Sequence, residues 1–232
     1  MDIRGFKQIL RSRAAAAAVL AQLTPAVVQQ FEIYYQLLAK WNRSINLTSL
    51  PLEPLAAEGL DRLLIEPLLA AEHLRHWLDA KGLHQNRWVD VGSGGGSPAI
   101  PLRLVRPQGT LVLVESKARK AAFLRELVRE LALERTEVAT ERFEVLTRRH
   151  RPVERADLVT IRAVRLDEQL ALAVHDSLVS SGVLLVFASD TAQPETPNGF
   201  ELAQQVGLTA STSRLFAFRR TDSVPRGTLQ TG

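Results

Sequence analysis

Four glycines occur within five residues of this chain, and their spacing could serve the binding of a ligand. They lie in the stretch RWVDVGSGGGSPAIPL, residues 87–102, at Gly92, Gly94, Gly95 and Gly96. Asp90 ends the apolar run that precedes them. Glycine has no side chain, so a loop of this kind lets backbone N–H groups approach a ligand closely. Four glycines also cost conformational entropy on folding, which argues against a loop without a ligand.

The spacing of the glycines argues against two common classes of nucleotide loop. The dinucleotide fingerprint G-x-G-x-x-G requires a third glycine at the position of Ser97. A phosphate-binding P-loop requires a G-K-[ST] ending, which does not follow. The remaining pattern, D-x-G-S-G-x-G, is typical of a loop that binds S-adenosylmethionine, a cofactor with no phosphate group. Glu115 ends the next apolar run, 19 residues after Gly96, where an acidic residue can accept hydrogen bonds from ribose hydroxyls.

Alternating strand-like and helical segments surround this loop. Short runs rich in β-branched residues occur at 87–91, 110–115, 136–140, 157–161 and 182–188. Helical patterns lie between them: a short one after the loop, then 117–131 and 166–179. This alternation predicts an α/β fold with a mainly parallel sheet covered on both faces. After Phe200 we predict a helix and two strands, at 207–212 and 214–220, that form an antiparallel edge.

The chain before the loop is predicted to be helical. Thr24 and Pro25 match a helix cap and a first helical position. The side chains at 3,4 spacing after them predict a core stripe of Phe31, Tyr34, Tyr35 and Leu38. We therefore predict an N-terminal helical extension over 1–85, a Rossmann-like domain over 86–220, and a disordered tail over 221–232.

Composition excludes several kinds of site. The chain has no cysteine, which rules out disulfides, thiolate metal sites and cysteine nucleophiles. Its five histidines lack metal-ligand spacing, so we expect no metal. No apolar run reaches the roughly 20 residues that span a membrane, and we expect a cytoplasmic monomer.

Positive charge is concentrated in the middle of the chain. Residues 117–165 hold 13 Lys and Arg against 8 Asp and Glu, although the overall formal charge is only +4. Most of the charges at 117–135 alternate in sign and match a solvated helix face. The less balanced cluster predicts contact with a polyanion, and its candidate RNA-binding residues are Arg148, Arg149, Arg151 and Arg155.

Several motifs together resemble one known family. The loop DVGSGGGSPAIPL resembles the D-V-G-[ST]-G-x-G-x-P-[GA]-I-P-L signature of the glucose-inhibited division protein B family (GidB, also RsmG). Further similarities lie in WNRSINLT (41–48), FLRELVRELAL (123–133) and TIRAV (160–164). The resemblance covers about residues 20 to 190. The members of the GidB family are bacterial 16S rRNA 7-methylguanosine methyltransferases.

The resemblance implies a fold, a reaction and a set of contacts. The fold is the class I (Rossmann-like) methyltransferase fold, with a seven-stranded sheet, and the substrate is 16S rRNA or the small ribosomal subunit. The implied S-adenosylmethionine contacts are Gly92, Ser97, Phe143, Glu144 and Arg162, beside Asp90, Gly94, Gly96 and Glu115 from the loop pattern. Phe143 can equally be a core aromatic. A buried arginine at 162 requires a partner such as a carboxylate.

No catalytic base is expected for this reaction. Guanine N7 carries an exposed lone pair, so alignment of the two reactants can supply the catalysis. Methylation at pyrimidine C5 generally uses a cysteine, which the chain lacks. Methylation of exocyclic amines typically uses an N-P-P-Y box, where this chain has IRAVRL (161–166).

Two motifs of the family are missing. An R-H-x-x-D-S box is replaced by LDRLLIEPLL (60–69), and a Lys-Gly after the fifth strand is replaced by FASDTAQP (187–194). We expect these departures to change contacts at the cleft mouth and to leave the cofactor loop untouched. Two alternatives stay open: a methyltransferase for another RNA or a small molecule, and a ribosome-associated RNA-binding protein without turnover.

Overall fold

The computed structural model describes residues 3–80, 87–149, 155–189, 191, 194–208 and 213–222. Within these ranges the chain forms eight α-helices and one seven-stranded sheet. The helices are α1 Ile3–Ala16, α2 Pro25–Asn42, α3 Ala57–Leu60, α4 Glu66–Ala80, α5 Ala99–Val105, α6 Ala118–Glu130, α7 Phe143–Arg149 and α8 Glu168–Ser177. A 3₁₀ turn at Leu20–Gln22 precedes α2, and a π-helical turn at Asp61–Ile65 joins α3 to α4.

The sheet is parallel except at its C-terminal edge. Its strands are β1 Arg87–Val91, β2 Thr110–Val114, β3 Thr136–Ala139, β4 Ala156–Arg162, β5 Leu178–Ser189, β6 Phe200–Gly207 and β7 Ser213–Arg220. Their order is β3-β2-β1-β4-β5-β7-β6. Strands β1 to β5 pair in parallel, whereas β7 is antiparallel to both β5 and β6. The predicted class of sheet is confirmed.

Alternate residues of the strands face two separate hydrophobic cores. In β2, Leu111 and Leu113 join a core with the N-terminal helices, α5 and α6, whereas Val112 and Val114 join a core with α7 and α8. Successive strand side chains point to opposite faces, so these short apolar runs bury both sides. The sheet is therefore the middle layer of three, and its strands end at a common edge beside the glycine loop.

The N-terminal helices begin and pack as their sequence predicts. The Thr24 hydroxyl accepts a hydrogen bond from the backbone N–H of Val27, and Pro25 opens α2. The predicted core stripe is confirmed, because the side chains of Phe31, Tyr34, Tyr35 and Leu38 are fully buried. Helix α2 contacts both α5 and α6, which places it directly over the loop that precedes α5.

The predicted helix after Phe200 is wrong. This segment forms β6, which pairs with β7 along most of its length. Glu, Leu, Ala and Gln at 201–205 are good helix formers, but helix propensity is a weak preference, and the ladder to β7 overrides it. The predicted strand at 207–212 falls mainly outside the described residues, whereas the one at 214–220 is confirmed within β7.

The described helices include none that is both long enough and apolar enough to cross a bilayer. Thr221, at the start of the predicted tail, donates a backbone hydrogen bond of 2.8 Å to the carbonyl of Gly199. The remainder of that tail, 223–232, lies outside the described residues.

A substitution at Gly96 in the glycine loop tests how tightly these layers pack. Gly96 has a φ of 85°, and a Cβ atom there would lie 2.9 Å from Cγ1 of Ile100. We expect Gly96→Ala to lower the free energy of unfolding by about 1–3 kcal/mol, through backbone strain and crowding. Urea denaturation measures this change.

Gly207→Ala is the matched control, because nothing lies within 4 Å of a Cβ atom built at Gly207. We expect this control to change the stability by no more than about 0.5 kcal/mol. Equal effects of the two substitutions would contradict the strain assigned to Gly96.

Candidate functional site

The glycine loop turns sharply between β1 and α5. Gly92, Gly94 and Gly96 have positive φ values of 71°, 47° and 85°, which only glycine adopts readily. A Cβ atom at Gly92 would lie 2.4 Å from Cγ2 of Val164, on the loop after β4. The sequence therefore requires glycine here to let two neighbouring loops come together.

Glu115 holds the turn from the end of the next strand. One carboxylate oxygen accepts a 3.0 Å hydrogen bond from the backbone N–H of Gly94, and the other accepts a 2.8 Å bond from that of Lys117. The residue is only 6% exposed. Each ionised oxygen has a second lone pair, so this carboxylate can still accept hydrogen bonds from a ligand.

Asp90 lies beneath the loop and not in the cavities around it. It is 1% exposed and accepts a hydrogen bond from the hydroxyl of Thr160, which in turn accepts one from the indole N–H of Trp88. Burial raises the pKa of Asp90 to about 6, and the nearby charge of Glu115 adds to this shift. The structure thus places Asp90 as a support of the strand end.

Two cavities meet at the loop. The side cavity, of about 270 Å³, is lined mainly by residues that end β1 and β2 or begin α7, among them Gly92, Glu115, Phe143 and Glu144. The loop cavity, of about 640 Å³, is lined among others by Gly92, Gly94, Ser97, Glu115 and Arg162. Gly92, Glu115 and Val164 line both cavities. The structure therefore brings together seven of the nine predicted cofactor residues, all except Asp90 and Gly96.

Phe143 is a core aromatic, as one of its two interpretations predicted, and its cofactor contact stays a prediction. It is 4% exposed and belongs to the core beneath α7, yet it also lines the side cavity. Gly96, in contrast, packs against Ile100, Leu127 and Tyr34 behind the loop. Because Gly96 has no side chain, residues of α2, α5 and α6 can pack closely around it.

Arg162, at the end of β4, is tied to three other parts of the chain. Its guanidinium forms an ion pair with Glu66, donates to the carbonyl of Arg62, and donates a 3.1 Å hydrogen bond to the hydroxyl of Ser97. Burial, together with the charge of Arg62, lowers its pKa to about 9, so it is still charged at pH 7. The carboxylate partner that the sequence required is Glu66, whose side chain is fully buried.

The loop after β4 carries a strained residue. Ala163 has a φ of 56°, in the left-handed region that costs a non-glycine residue of order 1–3 kcal/mol. Such strain concentrates at functional sites. Val164 follows it and lines both cavities at the loop.

Sequence reasoning missed two residues that shape the loop cavity. The side-chain oxygen of Asn42 accepts hydrogen bonds from the backbone N–H groups of Leu47 and Thr48, at 2.8 and 3.0 Å. It thereby folds residues 46–50 into one wall of the cavity. The hydroxyl of Tyr34 donates a 2.8 Å bond to the carbonyl of Gly95. The pairing of two asparagines in WNRSINLT was the available signal for Asn42, whereas Tyr34 resembled any core aromatic.

The segment that replaces the first missing motif contacts the cofactor loop through its backbone, and the expected effect of the replaced side chains stays a prediction. The hydroxyl of Ser97 donates a 3.0 Å hydrogen bond to the carbonyl of Leu63, within LDRLLIEPLL. Leu63 and Arg62 also line the loop cavity. The π-helical turn presents this backbone to the loop, a contact that no local pattern encodes.

The predicted RNA-binding residues lie at and after α7. Arg148 and Arg155 are exposed, and Arg155 lines a further cavity of about 580 Å³ beneath α7. The side chain of Arg149 and the whole of Arg151 lie outside what the structure describes. The loop cavity is lined by two further cations, Lys117 and Lys120, that the sequence did not single out. Among the residues with described side chains, no group of three acids or histidines could hold a metal ion.

Comparison with known sequences identifies a family. The GidB family model, described as rRNA small subunit methyltransferase G, matches residues 27–213. The ribosomal RNA small subunit methyltransferase G of Dictyoglomus thermophilum is 30% identical over 201 residues, which cover 87% of this chain and 78% of that protein. That of Chromobacterium violaceum is 35% identical over 162 residues, 68% of this chain and 69% of that one. The match to the Dichelobacter nodosus protein is 39% identical and spans about half of each chain, 53%.

Solved structures share the fold. HI0767 of Haemophilus influenzae, named as a candidate methylase, superposes with a TM-score of 0.52 at 18% identity, over 66% of this chain and 89% of that one. The yhhF protein of Escherichia coli, named as a candidate methyltransferase, gives 0.50 at 16% identity, over 66% and 85%. At such low identity these likenesses concern the architecture alone.

The buried Asp90 predicts a pH-dependent stability. Its pKa of about 6 in the folded chain lies above its ordinary value of 3.8, so the folded state binds this proton more tightly. The resulting stabilisation is complete below pH 4 and is lost as the pH rises through 6. We expect the stability of the wild type relative to Asp90→Asn to fall by about 2 kcal/mol between pH 4 and pH 7.

Urea denaturation of both proteins at a series of pH values measures this difference, and titrating groups that do not interact with Asp90 cancel in the comparison. Parallel stability profiles would contradict the assigned burial of the Asp90 charge.

Proposed function

The chain belongs to the rRNA small subunit methyltransferase G (GidB) family, and on this premise we propose that it methylates N7 of a guanine in 16S rRNA with S-adenosylmethionine as methyl donor. The observation that carries the proposal is the junction of two cavities at the glycine loop, beside the Glu115 carboxylate. The class I fold and the family membership agree with it. The small ribosomal subunit is then the partner, which places the protein in the bacterial cytoplasm, and we propose that it acts as a monomer.

The residues around the two cavities fit S-adenosylmethionine. When bound, this cofactor supplies an electrophilic methyl group on a sulfonium. Glu115 would accept hydrogen bonds from the ribose hydroxyls, and Phe143 and Glu144 would hold the adenine in the side cavity. Gly92, Gly94 and Ser97 would hold the methionine part in the loop cavity, where glycines leave the backbone open to it.

Methyl transfer to guanine N7 requires no acid or base from the side chains. The bound cofactor would supply the methyl group, and guanine N7 would accept it on its exposed lone pair. N7 carries no proton, so no residue has to remove one. The work of the chain is to align the two reactants and to exclude water, which can account for a large part of the barrier reduction.

We also propose that basic side chains hold the phosphates of the RNA. The candidates are Arg148, Arg149, Arg151 and Arg155, and the exposure of Arg148 and Arg155 supports them. Lys117 and Lys120, which line the loop cavity, would add further contacts to the phosphates. Such contacts release counterions, so affinity for RNA should fall steeply with salt.

Methyl transfer to small ribosomal subunits that lack native 7-methylguanosine tests the function. The labelled cofactor should give labelled 7-methylguanosine on nucleoside analysis of the RNA, because N7 is the acceptor that needs no base. Label in another nucleoside or in no RNA, despite binding of the cofactor, would favour one of the two alternatives, another substrate or an RNA-binding protein without turnover.

Glu115 supplies a second test, directed at the cofactor. We expect Glu115→Ala to weaken binding of S-adenosylmethionine by about 1–3 kcal/mol through lost charge-assisted hydrogen bonds. Isothermal titration calorimetry measures the affinity. Glu130→Ala is the control, because Glu130 is an exposed acid on α6 whose one ion-pair partner among the described residues is its neighbour Arg129.

Glu115 also holds Gly94, so the unfolding of each variant is measured in parallel to separate stability from affinity. An unchanged affinity of a folded Glu115→Ala protein would refute the ribose role.

A further inference from the structure

A third cavity adjoins the loop cavity on the side away from Glu115. This β5 cavity has a volume of about 640 Å³ and lies along the ends of β4 and β5. It shares four lining residues with the loop cavity, namely Arg62, Arg162, Ala163 and Val164. A ligand in one cavity therefore lies against the same wall as a ligand in the other. Such an arrangement suits a donor and an acceptor between which a group is transferred.

We propose that the β5 cavity receives the target guanine and that Glu195, which lines this cavity and not the loop cavity, selects guanine by its amino edge. The inference rests on the proposed function, since it assigns the loop cavity to the methyl donor. It adds a location for the acceptor base and a residue that determines its identity.

The charges of the cavity match the two edges of guanine. The edge that carries N7 also carries O6, and both atoms are hydrogen-bond acceptors. With N7 turned toward the shared wall, O6 faces the cations of that wall. Arg162 is already engaged with Glu66, Ser97 and the Arg62 carbonyl.

Arg62 has hydrogen-bond donors on this wall that are available to a ligand. Its Nε lies 3.5 Å from Glu66, and no described residue accepts a hydrogen bond from its two terminal nitrogens. Its side chain is 30% exposed and lines both cavities. Arg62 is thus placed to donate to O6 and leave N7 free to react.

Glu195 provides the opposite charge. Guanine N1–H and the N2 amino group are donors on the edge away from N7, and an ionised carboxylate is an acceptor only. Glu195 is exposed, lines the cavity beside Pro194, and has no partner in the part of the chain that the structure describes. Among the described residues that line this cavity it is the only acid. Its negative charge also favours the positive charge that N7 methylation leaves on the base.

The remaining walls suit the faces of a purine. Val186, Phe187 and Leu166 give the cavity an apolar surface. The guanidinium of Arg162 lies 5.1 Å from the centre of the Phe187 ring, which fixes both groups. An unpaired base can enter such a pocket from a splayed RNA strand.

The test compares two RNA substrates that differ by one amino group. Once the methylated nucleotide is mapped, RNA is prepared with guanine or with hypoxanthine (inosine) at that position. Inosine keeps N7, O6 and N1–H and lacks only the N2 amine. We expect the wild type to prefer guanine by about 10-fold in kcat/KM, because a hydrogen bond to a charged acceptor is lost with inosine.

The variant Glu195→Gln should reduce this preference to about 3-fold or less, mainly through slower reaction of the guanine substrate. The affinity for S-adenosylmethionine should stay unchanged, since Glu195 does not line the loop cavity. The matched control Glu130→Gln should keep the full preference.

A Glu195→Gln protein that keeps the wild-type preference would overturn the role of Glu195, as would a wild type that does not distinguish the two substrates. A wild type that transfers no methyl group to the guanine RNA would instead overturn the proposed function itself. The two failures are therefore told apart by the wild type alone.

Discussion

The charge of Arg162 has to be compensated inside the protein, and this requirement ties the layers of the molecule together. The guanidinium sits at the end of β4 and is only 13% exposed. Its acceptors come from the π-helical turn, from the start of α4 and from the glycine loop. Removal of one partner from a buried ion pair costs about 3–5 kcal/mol, because the other charge is left uncompensated. The N-terminal helices therefore cannot shift relative to the loop without a large penalty.

A buried ion pair is seldom more stable than well-packed apolar residues in its place. Stability alone thus does not explain why Glu66 and Arg162 occupy this position. Their geometry does explain it, since the pair fixes the wall shared by the loop cavity and the β5 cavity. The same segment supplies the carbonyl of Leu63 to Ser97 and places Arg62 on that wall. Residues 60–69, where the family box is missing, therefore retain a direct role in shaping the site.

Local patterns predicted what depends on local physics. The cap at Thr24, the stripe from Phe31 to Leu38 and the strand at 87–91 follow from side-chain preference and periodicity, and all are confirmed. The segment 200–207 was predicted wrongly because its pairing with β7 depends on a partner further along the chain. The sequence predicted that Arg162 has a partner such as a carboxylate. Its identity as Glu66, 96 residues away, is set by the tertiary fold and not by any local pattern.

Glu115 holds the glycine loop in shape and, in the proposed function, would also contact the ligand. Its two oxygens fasten the N–H groups of Gly94 and Lys117, so the loop is held in shape before any ligand arrives. A loop that is ordered in advance loses less conformational freedom on binding, and more of the contact energy becomes affinity. The lone pairs that remain on the same oxygens are available for the proposed ligand contact. The glycines make the turn possible and this carboxylate makes it rigid, so the loop combines an open backbone with a fixed shape.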